Sequence, residues 1–171
     1  MYELRIPEER VAVLIGKDGD TKKLVEAHSG CKLNIAKDGL VAITGEDGLK
    51  LYTTREIVKA VGRGFNPKIA LLLLKTDYAL ELIDLNTVVR SKNDMERIKG
   101  RIIGKGGTSR EELERLTDTY ISVYGKTIGI IGEQNQVIIA RQGIAKLIEG
   151  AMHSTVYKFL EKKKRDMLLG Q

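Results

Sequence analysis

One hexapeptide occurs twice in this chain. Ile102-Ile103-Gly104-Lys105-Gly106-Gly107 has an altered counterpart 88 residues earlier, Leu14-Ile15-Gly16-Lys17-Asp18-Gly19. Each copy follows an apolar, helix-like stretch and precedes a second helical pattern. Two short strands and another helix then follow. The tetrapeptide Gly-x-x-Gly alone is weak, because 18 glycines in 171 residues give roughly two chance matches. Two others do occur, Gly45 to Gly48 and Gly129 to Gly132. Neither has helical patterns on both sides, so both read as strand-edge glycines. The repeat extends beyond the turn: Leu33 matches Ile121 and Ile35 matches Val123 at the same offset of 88. Gly45-Glu46 matches Gly132-Glu133 at 87, because the second hairpin turn is one residue shorter. A period this long indicates a duplicated domain and not a solenoid.

The pattern predicts the same element order twice. In the first copy, Leu4 to Ile6 reads as a strand and Glu8 to Ile15 as a helix ending at Gly16. Asp20 is expected to cap a helix running to Ser29, with Leu24, Val25 and His28 on one face. Gly30 stops it. Lys32 to Ile35 and Leu40 to Thr44 alternate like paired strands across Lys37-Asp38-Gly39. Gly48 to Val61 is helical. Asn66-Pro67 opens a further helix through Leu74, with Pro at its first position. This helix is expected to pack between the halves. Tyr78 to Leu85 fits a strand or a helix, and the repeat favours the strand. Asp94 to Ile103 is then helical. Thr108 and Glu111 have the spacing of a capping box for a helix ending near Thr117. Tyr120 to Tyr124 and Thr127 to Ile131 form a hairpin around Gly125-Lys126. Glu133 to Glu149 is helical, and an extra helix spans Met152 to Leu168. The expected division is 1–64, a connecting helix 65–75, a second domain 76–150 and a C-terminal helix 151–171.

A Gly-x-x-Gly turn between two helices suits phosphate. Glycines permit positive φ and close approach to bare backbone. The first N–H groups of the next helix point to the same place, where the helix dipole favours an anion. Lys105 adds a mobile positive charge, and Arg101 and Arg110 flank the turn. The order strand, helix, Gly-x-x-Gly, helix, strand, strand, helix resembles a type I KH domain. Arg101-Ile102-Ile103-Gly104-Lys105-Gly106-Gly107 is similar to the KH signature almost letter for letter. The resemblance covers nearly the whole chain and implies an α+β fold of tandem type I KH domains. Each would have a three-stranded antiparallel sheet backed by helices. KH domains hold about four single-stranded nucleotides in a groove clamped by the loop. The residues this implies for RNA are Arg101, Ile103, Gly104, Lys105, Gly106, Gly107, Arg110, Leu113, Ile121, Ser122 and Val123. The apolar walls would be Ile103, Leu113, Ile121 and Val123, side chains that a core role explains equally well.

The first copy departs from this pattern. Asp18 stands where a phosphate would approach, and Asp20 adds a second carboxylate. Lys17 and Lys22, with Lys23, compensate in part. Gly16, Lys17, Gly19 and Lys22 are therefore expected to form a weaker RNA site, in a domain that positions RNA or contacts protein. Charge follows the same division. Residues 1–86 hold 13 basic and 13 acidic side chains, whereas residues 87–171 hold 16 basic and 10 acidic. All of the net charge of +6 lies in the second half. A basic surface favours polyanions by releasing their counterions.

Other chemistries find no support in the residues. A P-loop needs four residues between its glycine and Gly-Lys, then Ser or Thr. Gly100 to Gly106 has the wrong spacing and ends in Gly. His28 and His153 are far apart, and the single cysteine, Cys31, gives no metal spacing. His28 is expected near the core. Neither a catalytic constellation, a metal nor a cofactor is expected, so the chain reads as a non-enzyme. The strongest apolar run, Ile69 to Leu74, is far too short to cross a bilayer. The first residues do not resemble a signal peptide, and the expected compartment is the cytoplasm. The run Lys162 to Arg165 reads as a solvated helix face.

Two KH-like units joined by Gly64 to Leu74 and Leu82-Ile83-Asp84-Leu85, then Met95 to Gly104, resemble a narrower family. It is that of the archaeal KH-containing ribosomal-RNA-processing factors, known in eukaryotes as partners of the Nob endonuclease. The resemblance implies a small-subunit assembly factor that binds single-stranded precursor RNA near the 3′ end of small-subunit ribosomal RNA. It implies as partners the Nob endonuclease and the alpha subunit of translation initiation factor two. The alternatives are a KH-fold protein scaffold, or an RNA-binding factor in translation or RNA decay.

Overall fold

Apolar residues alternate along the strands and recur at helical spacing between them, so each half of the chain can build a sheet with helices on one face. The computed structural model describes residues 1–170. It divides into two compact units, Met1–Tyr78 and a second beginning at Ala79.

The first unit runs β1 (Tyr2–Arg5), α1 (Glu8–Ile15), α2 (Asp20–Ser29), β2 (Lys32–Ile35), β3 (Leu40–Thr44), α3 (Gly48–Gly62) and α4 (Pro67–Ala70). Its sheet has the order β1-β3-β2. β3 pairs antiparallel with both neighbours, with Leu4 opposite Val41 and Leu33 opposite Ile43. The alternation sends Leu33, Val41 and Ile43 into a core with Leu14, Val25, Ile57 and Val61. Full burial of such side chains is worth about 1.5–3 kcal/mol each.

The second unit repeats the plan as β4 (Tyr78–Asp84), α5 (Lys92–Ile103), α6 (Thr108–Thr117), β5 (Tyr120–Tyr124), β6 (Thr127–Glu133) and α7 (Gln134–Ile148). It then adds α8 (His153–Leu168). The sheet order is β4-β6-β5, with Ile121 opposite Ile130 and Tyr124 opposite Thr127 around the two-residue turn. Ile98, Ile102, Leu113, Leu116, Ile121, Ile128, Ile130 and Ile144 form one core. Val156 and Leu160 of α8 enter the same core, so the added helix is part of this unit's packing. The ambiguous stretch from Tyr78 is indeed a strand.

Two bonds recur in both units. Glu26 Oε2 accepts from the Leu33 N–H at 2.8 Å, and Glu114 Oε2 accepts from the Ile121 N–H at 2.8 Å. Each glutamate ties the second helix of its unit to the strand that follows. The second device is an arginine latch. Arg10 on α1 donates to Val61 O at 2.8 Å and to Phe65 O at 2.9 Å, at the end of α3. Arg101 on α5 donates to Leu147 O and Ala151 O, at the end of α7. A planar guanidinium suits this task, because its donors fork and its charge complements the helix C-terminus.

The helix expected through Leu74 is shorter. α4 ends at Ala70 and gives way to a 3₁₀ turn over Leu71–Leu74. That turn stacks residues three apart, and Ala70 and Leu73 are both buried. Asn66 caps α4 through a 2.9 Å bond to the Lys68 N–H. α4 packs against α3 inside the first unit.

The glutamate tether is testable. Glu114→Ala leaves the Ile121 N–H without its acceptor and is expected to destabilise the second unit by about 1–3 kcal/mol. Denaturant melts would read the loss. Hydrogen exchange should show faster exchange at the Ile121 amide, and protection unchanged there would contradict the role.

Candidate nucleic-acid interface

The two Gly-x-x-Gly turns share one backbone. Gly16 has φ 76 and ψ 176, and Gly104 has φ 74 and ψ 171. The third positions are left-handed in both, Asp18 at φ 53 and Gly106 at φ 64. The fourth match as well, Gly19 at φ 78 and Gly107 at φ 81. Gly16 N–H bonds Ala12 O at 2.9 Å, and Gly104 N–H bonds Gly100 O at 2.8 Å. Gly19 N–H reaches Gly16 O, and Gly107 N–H reaches Gly104 O, each at 3.2 Å.

The first glycine is sterically required. A Cβ on Gly104 would lie 2.7 Å from both the backbone N and the Cβ of Ser109. On Gly16 it would lie 2.7 Å from the Thr21 backbone N. Gly106 and Gly107 differ, because nothing lies within 4 Å of a Cβ there. These two glycines face open space, as a loop that admits a ligand must. Lys105 and Gly106 are exposed.

The expected caps are absent. Gly19 and Gly107 occupy the N-cap positions of α2 and α6, and neither helix has a side-chain cap bond among the described residues. Asp20 is the first residue within α2, with φ −61 and ψ −43, so it does not cap it. Thr108 forms no capping box either; its hydroxyl donates back to Lys105 O at 2.9 Å. A left-handed glycine carries the chain straight from the turn into the helix, so no side chain stands at the cap position. The first amide of α6, Thr108 N–H, donates within the turn to Lys105 O, and the amides that follow it have no side-chain cap.

Several expected contacts are placed otherwise. The Arg101 guanidinium is spent on the α7 latch and not on the turn. Leu113 and Ile121 are 0% and 3% exposed, so they are core residues and not groove walls. Leu113 shares the inner face of α6 with Leu116, and strand alternation points Ile121 inward. Ile103, Ser122 and Val123 are half-buried; Val123 packs against the core from the same face of β5 as Ile121, and Ser122 lies on the other face. Arg110 donates to Ile121 O at 3.3 Å and lies 3.7 Å from Glu114 Oε1, which fixes it across the α6–β5 seam. In the first unit Lys17 is exposed and Lys22 half-buried. His28 is exposed, with Nδ1 2.9 Å from Leu24 O, and is not near the core. Within the basic run, Lys164 reaches Arg115 O at 3.4 Å. Among the described residues no group of three or more His, Cys, Asp or Glu is placed to hold a metal. Nor is any helix among them long and apolar enough to cross a membrane.

The repeat carries further signals that the turn alone does not show. Glu26 and Glu114 stand 88 residues apart, as do Thr21 and Ser109. The first pair are the tethers, and the second pair support the close approach of the first glycine. The Ser109 hydroxyl is buried and has no partner among the described residues.

This geometry has relatives among known proteins. Residues 79–165 match the model of the eukaryotic-type KH domain, type I, which belongs to the second KH domain of PNO1 proteins. Residues 1–60 match the KH domain model. A KH domain-containing protein of Methanocaldococcus jannaschii, MJ0443, is 48% identical over 95% of this chain and 73% of its own length. The crystal structure of Dim2p from Pyrococcus horikoshii is 42% identical, with a TM-score of 0.89 over 94% of this chain and 98% of that one. The chain belongs to the Dim2/PNO1 family of KH-domain proteins. An RNA-binding protein PNO1 of Oryzias latipes is 34% identical over 66% of the chain, which spans 47% of that protein's length. The tandem α+β fold is thus that of the archaeal Dim2 structures.

The family's turn makes two unlike demands on its glycines. Gly104→Ala is expected to destabilise the second unit by about 3 kcal/mol, through the clash with Ser109 and the positive φ. Gly106→Ala meets open space and should cost only about 1–2 kcal/mol. Thermal or denaturant melts of the two variants would check the order, and equal losses would contradict it.

Proposed function

We propose that the second unit binds single-stranded RNA of the small ribosomal subunit, near the 3′ end of its ribosomal RNA or precursor. The Gly104–Gly107 turn carries this reading. It presents two glycines to open space, an exposed Lys105 and, after Thr108, an α6 N-terminus without a side-chain cap. These are the components that hold a phosphate. Ile103 and Val123, each partly exposed, are the apolar surfaces proposed to meet bases beside it. The excess positive charge of the second half supports the same assignment. Support also comes from a solved complex of a/eIF2alpha, aDim2p and rRNA from Pyrococcus horikoshii. Its matched chain is 41% identical with a TM-score of 0.90, covering 96% of this chain and 94% of that one.

The first unit keeps the backbone and changes the charge. Asp18 replaces the third residue of the turn and repels phosphate there, so this unit positions the RNA or contacts protein. The alpha subunit of translation initiation factor two and the Nob endonuclease are the proposed partners. The protein acts as a binding factor in the cytoplasm and not as an enzyme.

The first unit also supplies a clean test. Asp18 adopts φ 53 in the place where Gly106 has φ 64, so the turn tolerates aspartate. The double substitution Lys105→Asp, Gly106→Asp should therefore keep the fold. It is expected to lower affinity for a single-stranded RNA from the 3′ region by at least about tenfold, since a cation is removed and carboxylates enter the phosphate's path. Lys17→Asp should change it much less. Fluorescence anisotropy at fixed salt would measure both, and undiminished affinity of the double variant would overturn the site.

A further inference from the structure

A second basic concavity lies at the other end of α5. The chain between β4 and α5, the first turn of α5 and the β5–β6 turn border an open concavity of about 270 Å³. Arg90, Lys92 and Lys126 line it, one from each of these three segments, over an apolar floor that includes Val89 and Met95. The three cations are exposed, and none forms an ion pair among the described residues. Two hydrogen bonds hold the walls. Leu85 N–H donates to Lys126 O at 2.8 Å, which pins the connector to the hairpin turn. Ser91 caps α5 through a 3.1 Å bond to the Asp94 N–H. The neighbouring carboxylate is already engaged. Asp94 accepts from Arg97 at 2.6 Å and from the Arg90 N–H at 3.1 Å, and these bonds with the nearby Arg97 and Arg90 charges hold its carboxyl below its ordinary range.

We propose that this cavity is a second phosphate-binding site for the same RNA strand, beyond the span held at the Gly104–Gly107 turn. The proposal rests on the RNA-binding reading of the second unit and deepens it. Asp94 offsets part of the Arg90 charge, while Lys92 and Lys126 add positive potential at the same place, which attracts an anion. The N-terminus of α5 adds its dipole in the same sense. α5 has 12 residues, so the two sites are about 18 Å apart along its axis. The groove holds about four nucleotides, so a strand must be longer than that to occupy both sites. The β5–β6 hairpin borders both places, with Val123 on the groove side and Lys126 in its turn.

The test compares two RNA lengths on the full chain by fluorescence anisotropy across a salt series. One is a tetranucleotide and the other a strand of about twelve nucleotides containing it. In Arg90→Ala, Lys92→Ala, Lys126→Ala, affinity for the longer strand should fall about tenfold. The slope of log affinity against log salt should become shallower by about 0.7 for each phosphate no longer neutralised. Tetranucleotide affinity should not change. Lys126→Ala alone removes one exposed turn side chain without touching the helix, and should give part of the same length-dependent loss. Unchanged affinity and slope for the longer strand in the triple variant would overturn the second site while leaving the turn's role intact. Wild-type protein that binds neither RNA would overturn both readings.

Discussion

The backbone of each unit turns on one missing Cβ. At Gly104 the chain leaves α5, doubles back and enters α6 so tightly that any side chain would strike the Ser109 backbone at 2.7 Å. At Gly16 the same approach is made to Thr21. That closeness allows the second helix of each unit to begin from a left-handed glycine without a side-chain cap. A glutamate farther along that helix, Glu26 or Glu114, then fixes it to the next strand. Helix pair, strand and the space beside the turn therefore share one geometric origin.

Duplication has separated that geometry from its chemistry. The two turns have nearly the same dihedral angles, yet one carries Gly106 and the other Asp18 at the same left-handed position. Aspartate is among the few residues that occupy this region readily. The first unit could therefore gain a carboxylate without losing its turn. The arginine latch shows the converse, in which function is kept while position moves. Arg10 corresponds by the offset of 88 to Ile98 and not to Arg101. Both arginines nonetheless bridge carbonyls four residues apart at the end of their unit's long helix after the sheet. Positions three apart on a helix lie on one face, so either can carry the latch.

Much of the fold is legible in the sequence because the repeat disciplines the local signals. The strand from Tyr78 is ambiguous by itself, and its counterpart in the first copy decides it. The caps are not legible, for a physical reason. Asp20 and Thr108 are good capping residues in isolation, but a glycine with φ near 80 already occupies the cap position ahead of them. Fewer of the expected wall residues reach the surface, for another reason. Leu113 and Ile121 have the character of a groove wall, and only the inward face of α6 and the alternation of β5 assign them to the core. The Arg90, Lys92 and Lys126 cavity is invisible in the sequence, because its three cations come from segments that only the fold brings together.

Net charge is therefore a coarse guide to which cations are available at the surface. In the second unit Arg97 pairs with Asp94, Arg115 with Glu112, and Arg141 with Glu81. Arg101 latches α7, and Arg110 spans the α6–β5 seam. These guanidiniums contribute to the long-range field, but each is held in place by the fold. The planar fork of arginine makes it the better residue for bridging carbonyls and carboxylates. Lysine, a mobile point charge on a flexible stem, adapts to a phosphate whose position varies along a single strand. The lysines at the exposed turns, Lys105 and Lys126, are the charges with that freedom. Most of the second unit's arginines named above thus hold the scaffold, as do Lys146, Lys163 and Lys164 through Phe159 and Arg115, whereas Lys105 and Lys126 stay exposed.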